Sequence, residues 1–174
     1  DFIDTLMKNK SLGSKTRQAF YKKEGKDIKS WDLNTFGVRE KKSAKFATLE
    51  LTKTIDKVVD RFKVLVNGKD KAGIFYRKSF AALFAYVSNR IPEITDEIYK
   101  IDDAMKAGFG WEHGPFQIWD AIGVEAGITM MKAEGKEPAA WVTDMLSSGS
   151  SSFYSVKDGA TYYYDVPSKT QAKI

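Results

Sequence analysis

The sequence predicts a mainly α-helical domain with a small β-hairpin near its C-terminus. Apolar residues recur at separations of three and four through the middle of the chain, which is typical of a buried helical face. Glycine and proline residues separate these stretches. Two aromatic-rich runs near the end flank Asp158-Gly159, a dipeptide typical of hairpin turns. The 174 residues suffice for one such domain, or for one domain with an appendage.

The first 40 residues predict little regular structure. Phe2, Ile3 and Leu6 form an apolar-periodic stretch over residues 1–9, which indicates the end of a helix. A lysine-rich, glycine-punctuated segment follows over residues 11–40 without sustained helical periodicity. We expect loops and turns anchored by a few aromatic side chains there, and this segment is the best candidate for a linker.

Two long helices are predicted next. Over residues 46–66 the apolar residues form a single helical stripe, and Gly68 offers a C-cap. A second helix begins near Asp70 and runs to Pro92, which removes a backbone donor and clashes with the preceding turn. We therefore expect a kink or break at Pro92 and a continuation through Tyr99.

The second half of the chain predicts four shorter helices and the hairpin. Asp102 is expected to cap the first helix, which stops at Gly108, and Pro115 suits the first turn of the second. The predicted helices cover residues 103–106, 116–122, 124–133 and 138–146, and the hairpin strands cover 152–156 and 161–165.

The composition excludes several kinds of site. Without cysteine the chain has no disulfide, thiolate nucleophile or cysteine-ligated metal, and its single histidine, His113, excludes multi-histidine sites. No apolar run approaches the roughly 20 residues of a membrane-spanning helix, so no membrane partner is expected. The chain opens at Asp1 without methionine or a targeting segment, from which we expect a piece of a longer protein.

The basic residues concentrate in the first half of the chain. Residues 1–80 contain 20 Lys or Arg against 10 Asp or Glu, whereas residues 81–174 contain 8 against 13. A basic half suits nucleic-acid or anion binding, and nucleic-acid affinity would then fall steeply with salt. The charges are scattered among acids and no binding motif accompanies them, so a nucleic-acid partner is not expected.

The glycine-rich segment between the predicted helices does not match a cofactor-binding motif. Gly108, Gly110 and Gly114 place the third glycine one position later than the dinucleotide fingerprint does, and they follow a helix rather than a strand. A P-loop is also absent, so we expect no cofactor site in this chain. His113 beside Glu112 could act as a general base, but an exposed loop histidine is the favoured interpretation.

Asn89 and Arg90 interrupt an apolar stretch just before the predicted helix break. A buried asparagine needs hydrogen-bond partners, so Asn89 either ties helices together or presents its amide to a ligand carbonyl. The periodicity favours the structural role. Arg90 either binds an anionic ligand or pairs with a nearby acid, of which the candidates are Glu93, Glu97 and Asp102.

Three motifs follow one another over residues 86–123. They are Tyr86-Val-Ser-Asn-Arg-Ile-Pro-Glu-Ile, Ile101-Asp-Asp-Ala-Met-Lys-Ala-Gly-Phe-Gly and Gly114-Pro-Phe-Gln-Ile-Trp-Asp-Ala-Ile-Gly. Their order and spacing resemble the C-terminal helical domain of 3-hydroxyacyl-CoA dehydrogenases. The tryptophan-containing variants are most similar to long bacterial or archaeal members. In those, an NAD domain is followed by two helical C-terminal domains and often by an enoyl-CoA hydratase-like domain.

The start of the chain is also similar to this family. Ser11-Leu-Gly-Ser-Lys-Thr-Arg-Gln-Ala-Phe-Tyr resembles the segment that closes the first helical domain, although Arg17 and Ala19 stand where glycines are usual. The resemblance implies that residues 1–42 are the tail of a preceding helical repeat plus a linker. Residues 43–174 would form a second helical domain of the 6-phosphogluconate-dehydrogenase-C-terminal-like type, with its terminal hairpin.

The resemblance also implies a reaction and its participants. The family oxidises the 3-hydroxyl of an acyl-CoA to a ketone and passes the hydride to NAD, a step of fatty-acid β-oxidation. Its catalytic histidine and glutamate lie in the NAD domain, which is missing here. We therefore expect the parent enzyme to use NAD, and this chain alone to bind no NAD and to be inactive. His113 does not inherit the catalytic role.

The family resemblance assigns site residues one by one. Asn89 matches the asparagine near the reacting end of the substrate, where an amide donor could hold the oxygen, and is the candidate catalytic residue. Gly114, Pro115 and Phe116 match the turn that lines the acyl pocket. These four residues are the candidate substrate-binding set.

Two roles stay open for this second repeat. As a substrate-side and dimerisation domain, it would contact the acyl-CoA substrate, the NAD-binding domain and the preceding helical repeat of the parent chain. As a non-catalytic pseudo-dimer module, it would supply an apolar helix face and make no substrate contact. A homodimer of the chain stays open in either case. The family and the missing targeting segment predict a cytoplasmic location.

Overall fold

A computed structural model describes residues 1–40 and 42–174. Residue 41, which falls in the predicted linker, lies outside the described residues. The chain divides into two compact units, residues 1–44 and residues 45–174. The assignment of residues 1–42 to a preceding repeat and its linker, and of residues 43–174 to a second helical domain, stays a prediction. A division into compact units does not show which repeat a segment belongs to.

The first unit combines a short helix with a three-stranded antiparallel sheet. Its elements are α1 (Phe2–Lys8), a 3₁₀ turn (Ser14–Thr16), β1 (Tyr21–Glu24), β2 (Asp27–Trp31) and β3 (Val38–Arg39). The strand order is β1-β2-β3, and Gly25 at φ +62° lies in the tight turn between the first two strands. The prediction of loops and turns was therefore wrong here. No residue of β1 or β2 is fully buried, so no alternating apolar pattern marks these strands.

The second unit contains seven helices and a second small sheet among its described residues. Its elements are α2 (Ala47–Lys53), α3 (Val58–Asn67), α4 (Lys71–Ser88), α5 (Ile98–Phe109), α6 (Pro115–Ile122), α7 (Val124–Ala133), α8 (Ala140–Ser147), β4 (Tyr154–Lys157), β5 (Ala160–Asp165) and β6 (Thr170–Lys173). The mainly α class with a small β element near the C-terminus is confirmed. The predicted hairpin is extended by a third strand, in the order β4-β5-β6.

The stripe predicted as one helix over residues 46–66 is two helices, α2 and α3. The hydroxyls of Thr52 and Thr54 donate to the carbonyls of Leu49 and Leu51 at 2.8 and 2.9 Å. Threonine side chains that bind the local backbone in this way compete with continuation of a helix. The apolar spacing in the sequence continues through the residues between the two helices, which is why the periodicity alone suggested a single element. The predicted end at Gly68 is confirmed.

The break after α4 is confirmed, but its continuation is not. The helix begins after Asp70, whose carboxylate accepts a hydrogen bond from Gly73 N at 3.0 Å, and it ends at Ser88. Residues 89–97 form turns around a cis bond between Ile91 and Pro92, and the next helix begins only at Ile98.

The predicted helix over residues 103–106 is a much longer helix, α5. Asp102 lies in its middle, so the prediction that Asp102 caps its own helix was wrong. α6 and α7 begin and end close to the predicted residues, and α8 begins at Ala140. Within the described residues, no helix is both long enough and apolar enough to cross a membrane.

An aromatic cluster joins the helices of the second unit to its sheet. Phe84 of α4 stacks on Trp119 of α6 with ring centroids 4.8 Å apart, and Trp119 meets Phe153 edge-on at 5.0 Å. All three side chains are fully buried. The segment leading into β4 is therefore fixed against α6, which determines where the polar groups described next are placed.

Candidate functional site

Asn89 lies at the exposed C-terminal end of α4. Its side-chain Nδ2 donates to the carbonyl oxygen of Ala85 at 2.8 Å. The expectation of a buried asparagine that ties helices together was therefore wrong, since this bond stays within the helix. An amide nitrogen carries two hydrogens, and the bond to Ala85 uses one of them. The second remains for an external acceptor.

The neighbouring Ser88 ties the helices together instead. Its side chain is buried, and its Oγ accepts a hydrogen bond from the backbone N–H of Ala139 at 3.1 Å. The indole Nε1 of Trp141 donates to the Ser88 carbonyl at 2.9 Å. The end of α4 is thus held against the start of α8, so Asn89 projects from a fixed backbone. Sequence reasoning missed Ser88 because a serine within an apolar run gives no sign of its partners.

Arg90 pairs with Glu93, one of its three predicted partners. The guanidinium Nη1 lies 2.6 Å from Glu93 Oε2, and the guanidinium carbon lies 5.1 Å above the ring of Tyr86. An ion pair and a ring contact already engage this arginine. Binding of an anionic ligand by Arg90 stays a prediction.

Gly114, Pro115 and Phe116 lie in the interior, at the N-terminus of α6. A Cβ on Gly114 would overlap the side chain of Asp102, so glycine permits the two helices to approach this closely. Phe116 packs edge-on against Phe153 at 5.1 Å. Contact of these three residues with an acyl chain stays a prediction.

The carboxylate of Asp102 caps α6 from the neighbouring helix. Its two oxygens accept hydrogen bonds from Phe116 N at 2.9 Å and Gln117 N at 3.0 Å. The N-terminus of a helix is the usual binding place for a cofactor phosphate, because its amide groups and its dipole attract negative charge. A carboxylate of this chain already occupies that position in α6, so the pyrophosphate of NAD does not fit there.

A second buried carboxylate, Asp120, holds the beginning of β4. Its oxygens accept hydrogen bonds from the backbone N–H groups of Phe153 and Tyr154, each at 2.8 Å. The Tyr154 hydroxyl donates to Asp102 Oδ2 at 2.9 Å. Tyr154 therefore joins the two carboxylates, and the pair connects α5, α6 and the C-terminal sheet.

Burial dominates the electrostatics of this pair. It raises the pKa of Asp102 to about 6, against the opposing effect of the hydrogen bonds from Phe116 and Tyr154. Burial also raises the pKa of Asp120 to about 7, and the charge of Asp102 adds to that rise. The pKa of the Tyr154 hydroxyl is raised as well, chiefly by burial. Burial thus opposes ionisation of both aspartates in the folded chain.

The two carboxylates face a cleft of about 470 Å³. Its other polar side chains include Gln117 and the ion pair of Lys106 with Asp103, whose atoms lie 2.8 Å apart. None of the four predicted substrate-binding residues lines this cleft. The sequence offered one signal for the pair: each aspartate lies four residues after a large apolar residue, Ile98 or Phe116, on the side of its helix that this spacing would place inside.

His113 is half-buried rather than exposed, which corrects the favoured prediction. Its ring meets the ring of Phe62 edge-on, with centroids 6.0 Å apart, and its Nε2 lies 3.9 Å from Glu112. Among residues 1–40 and 42–174, no group of acidic or histidine side chains is placed to hold a metal ion. The contact with Phe62 makes His113 a packing residue.

Comparison with known proteins places these residues in a family. The model of the 3-hydroxyacyl-CoA dehydrogenase C-terminal domain matches residues 76–162. The matched range runs from α4 to β5 and includes Asn89, both buried aspartates and Tyr154. No solved structure matches this chain.

Curated relatives agree with the family match. A Bacillus subtilis (strain 168) protein named "Probable 3-hydroxyacyl-CoA dehydrogenase" is 36% identical over 164 residues, covering 94% of this chain and 21% of the relative. A Rickettsia felis protein named "Putative fatty acid oxidation complex trifunctional enzyme" is 28% identical over 67% of this chain and 15% of its own length. The chain thus spans about a fifth or less of these relatives. It belongs to the 3-hydroxyacyl-CoA dehydrogenase family, as a C-terminal domain of that family.

Proposed function

We propose that this chain is the substrate-side and dimerisation domain of a 3-hydroxyacyl-CoA dehydrogenase. The whole enzyme would oxidise 3-hydroxyacyl-CoA to 3-ketoacyl-CoA with NAD, in fatty-acid β-oxidation. The family match and the names of the relatives support the reaction. The observation that carries the substrate-side role is the exposed, anchored amide of Asn89.

The chemistry of Asn89 suits a ketone or hydroxyl oxygen. One N–H of the amide is fixed on Ala85, which restricts the side-chain rotamer, and the other can donate outward. A donor that is fixed before the ligand arrives loses little conformational freedom on binding. Ser88 adds to this rigidity by holding the helix end to α8. Asn89 would thus orient the substrate oxygen.

NAD would bind elsewhere in the parent enzyme. The glycines between α5 and α6 connect two helices rather than a strand and a helix, and Asp102 already occupies the start of α6. The partners expected for this domain are therefore the acyl-CoA substrate, an NAD-binding domain and the preceding helical repeat.

Calorimetric titration of the chain with acetoacetyl-CoA and, separately, with NAD tests this role. Binding of acetoacetyl-CoA is expected, and Asn89→Ala should weaken it about 2- to 12-fold, as the loss of a net hydrogen bond of about 0.5–1.5 kcal/mol would. NAD should give no binding. Asn67→Ala is a matched control, because Asn67 is an exposed asparagine that ends another helix, α3.

The outcomes separate the two roles of the domain. Acetoacetyl-CoA binding that is equal in the wild type, Asn89→Ala and Asn67→Ala would contradict substrate contact by Asn89. Absence of acetoacetyl-CoA binding would contradict the substrate-side role of the chain and leave the pseudo-dimer module as the better account.

One helix face supports the dimerisation role. Phe75 and Tyr86 of α4 are 64% and 62% exposed, and the exposed small residues Ser79 and Ala82 lie between them on the same face. The four positions are symmetric about the midpoint of Ser79 and Ala82. An antiparallel second copy of α4 would therefore set each Phe75 opposite a Tyr86, while the small residues let the helices approach closely.

Sedimentation equilibrium of Phe75→Ser/Tyr86→Ser tests this face. The wild type is expected to dimerise and the double variant to be monomeric. Phe109→Ser is the control, because Phe109 is also largely exposed, at 73%, but lies at the end of α5. A monomeric wild type, or a dimer that only Phe109→Ser disrupts, would contradict pairing through α4.

A further inference from the structure

A cleft of about 680 Å³ lies in the first unit, beside β1. One wall comes from the 3₁₀ turn and the residues after it. The floor comes from the β1–β2 hairpin, where Tyr21 and Lys23 share a strand face and Lys23 is paired in register with Ile28. None of the residues assigned to substrate contact or dimerisation lies in this cleft, so it needs a separate explanation.

The wall of the cleft is a tightly bonded turn. The Thr16 hydroxyl accepts a hydrogen bond from Leu12 N at 2.9 Å and donates to the Gln18 carbonyl at 3.0 Å. The N–H of Gly13 donates to the same carbonyl at 2.9 Å. These bonds fix the position of the intervening residue, Arg17, next to the hairpin.

Arg17 stands in a conformation that favours glycine. Its φ is +59°, in the left-handed region, where every residue with a Cβ is disfavoured. A glycine would fit the turn without strain, yet an arginine is present and lines the cleft. Strained residues concentrate at binding sites, where the side chain is needed in one place.

The cleft carries positive charge that the described residues do not balance. Lys22 and Lys29, on neighbouring strands, both bind Glu24 at 2.8 Å and lower the pKa of that carboxyl to about 2. Arg17 and Lys23 have no acidic partner within residues 1–40 and 42–174. Both cations line the same cleft as Tyr21, whose ring is largely exposed.

We propose that this cleft binds a phosphorylated nucleotide, with the phosphate on Arg17 and Lys23 and the base against Tyr21. A guanidinium binds phosphate oxygens through paired hydrogen bonds, and an exposed aromatic ring stacks on a planar base. The volume lies within the range of small-molecule sites. A free nucleotide and the nucleotide end of coenzyme A share this chemistry. The proposal does not rest on the function proposed above.

Calorimetry of the 174-residue chain with three probes tests the site. The probes are adenosine 3′,5′-bisphosphate, coenzyme A and inorganic phosphate. The bisphosphate should bind, and Lys23→Gln should weaken its binding at least tenfold. Tyr21→Leu should reduce bisphosphate binding to the level of inorganic phosphate. Lys22→Gln is the control, because Lys22 points to the opposite face of β1. This variant should bind the bisphosphate as tightly as the wild type does.

Arg17→Gly separates a ligand-binding arginine from a structural one. Glycine relieves the left-handed backbone, so the variant should melt at a higher temperature than the wild type while losing at least tenfold in bisphosphate affinity. A structural arginine would instead give a lower melting temperature. If the melting temperature rises while affinity falls, the loss of binding cannot result from unfolding of the variant.

Comparison of the three probes distinguishes a free nucleotide from the nucleotide end of coenzyme A, and it also tests the proposal itself. Equal affinity for bisphosphate and coenzyme A supports the nucleotide end of coenzyme A, and tighter binding of bisphosphate supports a free nucleotide. No bisphosphate binding, or affinity no greater than for inorganic phosphate, would overturn the proposal. Acetoacetyl-CoA binding that requires Lys23 but not Asn89 would support this site and contradict substrate contact by Asn89.

Discussion

Two helical glycines, Gly127 and Gly108, differ in whether the structure has room for a side chain at their positions. Gly127 of α7 lies against the indole of Trp119, whose Nε1 donates to the Val124 carbonyl at 3.0 Å, and an added Cβ would overlap the indole nitrogen. Gly108 of α5 faces open space. The same residue type is thus required at one position and merely tolerated at the other.

Alanine substitution should therefore have opposite effects at these glycines. Gly127→Ala forces Trp119 from its site and should lower the free energy of unfolding by about 1–3 kcal/mol. Gly108→Ala adds helix propensity without a clash and should raise it by about 0.5–1 kcal/mol. Urea unfolding followed by circular dichroism measures both. A stabilising effect of Gly127→Ala would show that the Trp119 packing is wrong.

For a polar residue such as Asp120, the effect of a substitution depends on its hydrogen-bond partners. Asp120→Asn replaces one acceptor oxygen by a donor that faces a backbone N–H, so the free energy of unfolding should fall by about 1–3 kcal/mol. Asp144→Asn is the control, since it removes an exposed ion pair with Lys169, and its effect should stay within about 0.5 kcal/mol. If urea unfolding shows equal losses of stability for Asp120→Asn and Asp144→Asn, the anchoring role of the buried Asp120 carboxylate is contradicted.

At the scale of elements, buried carboxylates join helices and strands that are distant in sequence. Asp102 of α5 caps α6 and receives the Tyr154 hydroxyl of β4, 52 residues away in sequence. Asp120 of α6 receives two backbone N–H groups at the entry to β4. The C-terminal sheet is thus attached to the helices by acceptors on α5 and α6, in addition to the aromatic cluster.

These carboxylates should make stability depend on pH. Their folded-state pKa values, about 6 and about 7, lie above the unfolded value of 3.8, so folding favours their protonated forms. Their contribution to stability is complete below the unfolded pKa. It is lost as pH rises through the folded values, so the free energy of unfolding should fall between about pH 4 and about pH 7.

Asp120→Asn provides the control for this pH effect. The variant amide does not titrate, so its unfolding free energy should fall less between about pH 4 and about pH 7 than that of the wild type. Denaturant unfolding over this range measures the difference. Parallel curves for the two proteins would contradict a raised pKa at Asp120.

At the scale of the whole molecule, the chain covers a small part of the length of its relatives. It spans 21% of its Bacillus relative, and the start of α6, where a phosphate could bind, is occupied by Asp102. The chain alone should therefore form no NADH from 3-hydroxybutyryl-CoA and NAD. NADH fluorescence measures this directly, and turnover by a homogeneous sample would contradict the expectation.

The two units differ in how well their sequences predicted them. The hairpin at Asp158-Gly159 and the helices after Gly114 and Gly123 follow from turn residues, helix caps and apolar spacing, which are local features. The sheet around Gly25 was missed because its strands bury no continuous apolar face. In the candidate site, the motifs named Asn89 and the turn at residues 114–116, whose substrate contacts stay predictions. The surroundings of Asn89 and His113 were predicted incorrectly.

The sequence by itself determined the mainly α class, most helix positions and the family. Tertiary structure alone decided that Asp102 caps another helix, that Asp120 anchors a strand, and that Arg17 and Lys23 line one cleft. The physical reason is the distance along the chain over which each feature is determined. Periodicity, caps and turns depend on neighbours within a few residues, whereas burial and hydrogen-bond partners depend on segments that only folding brings together.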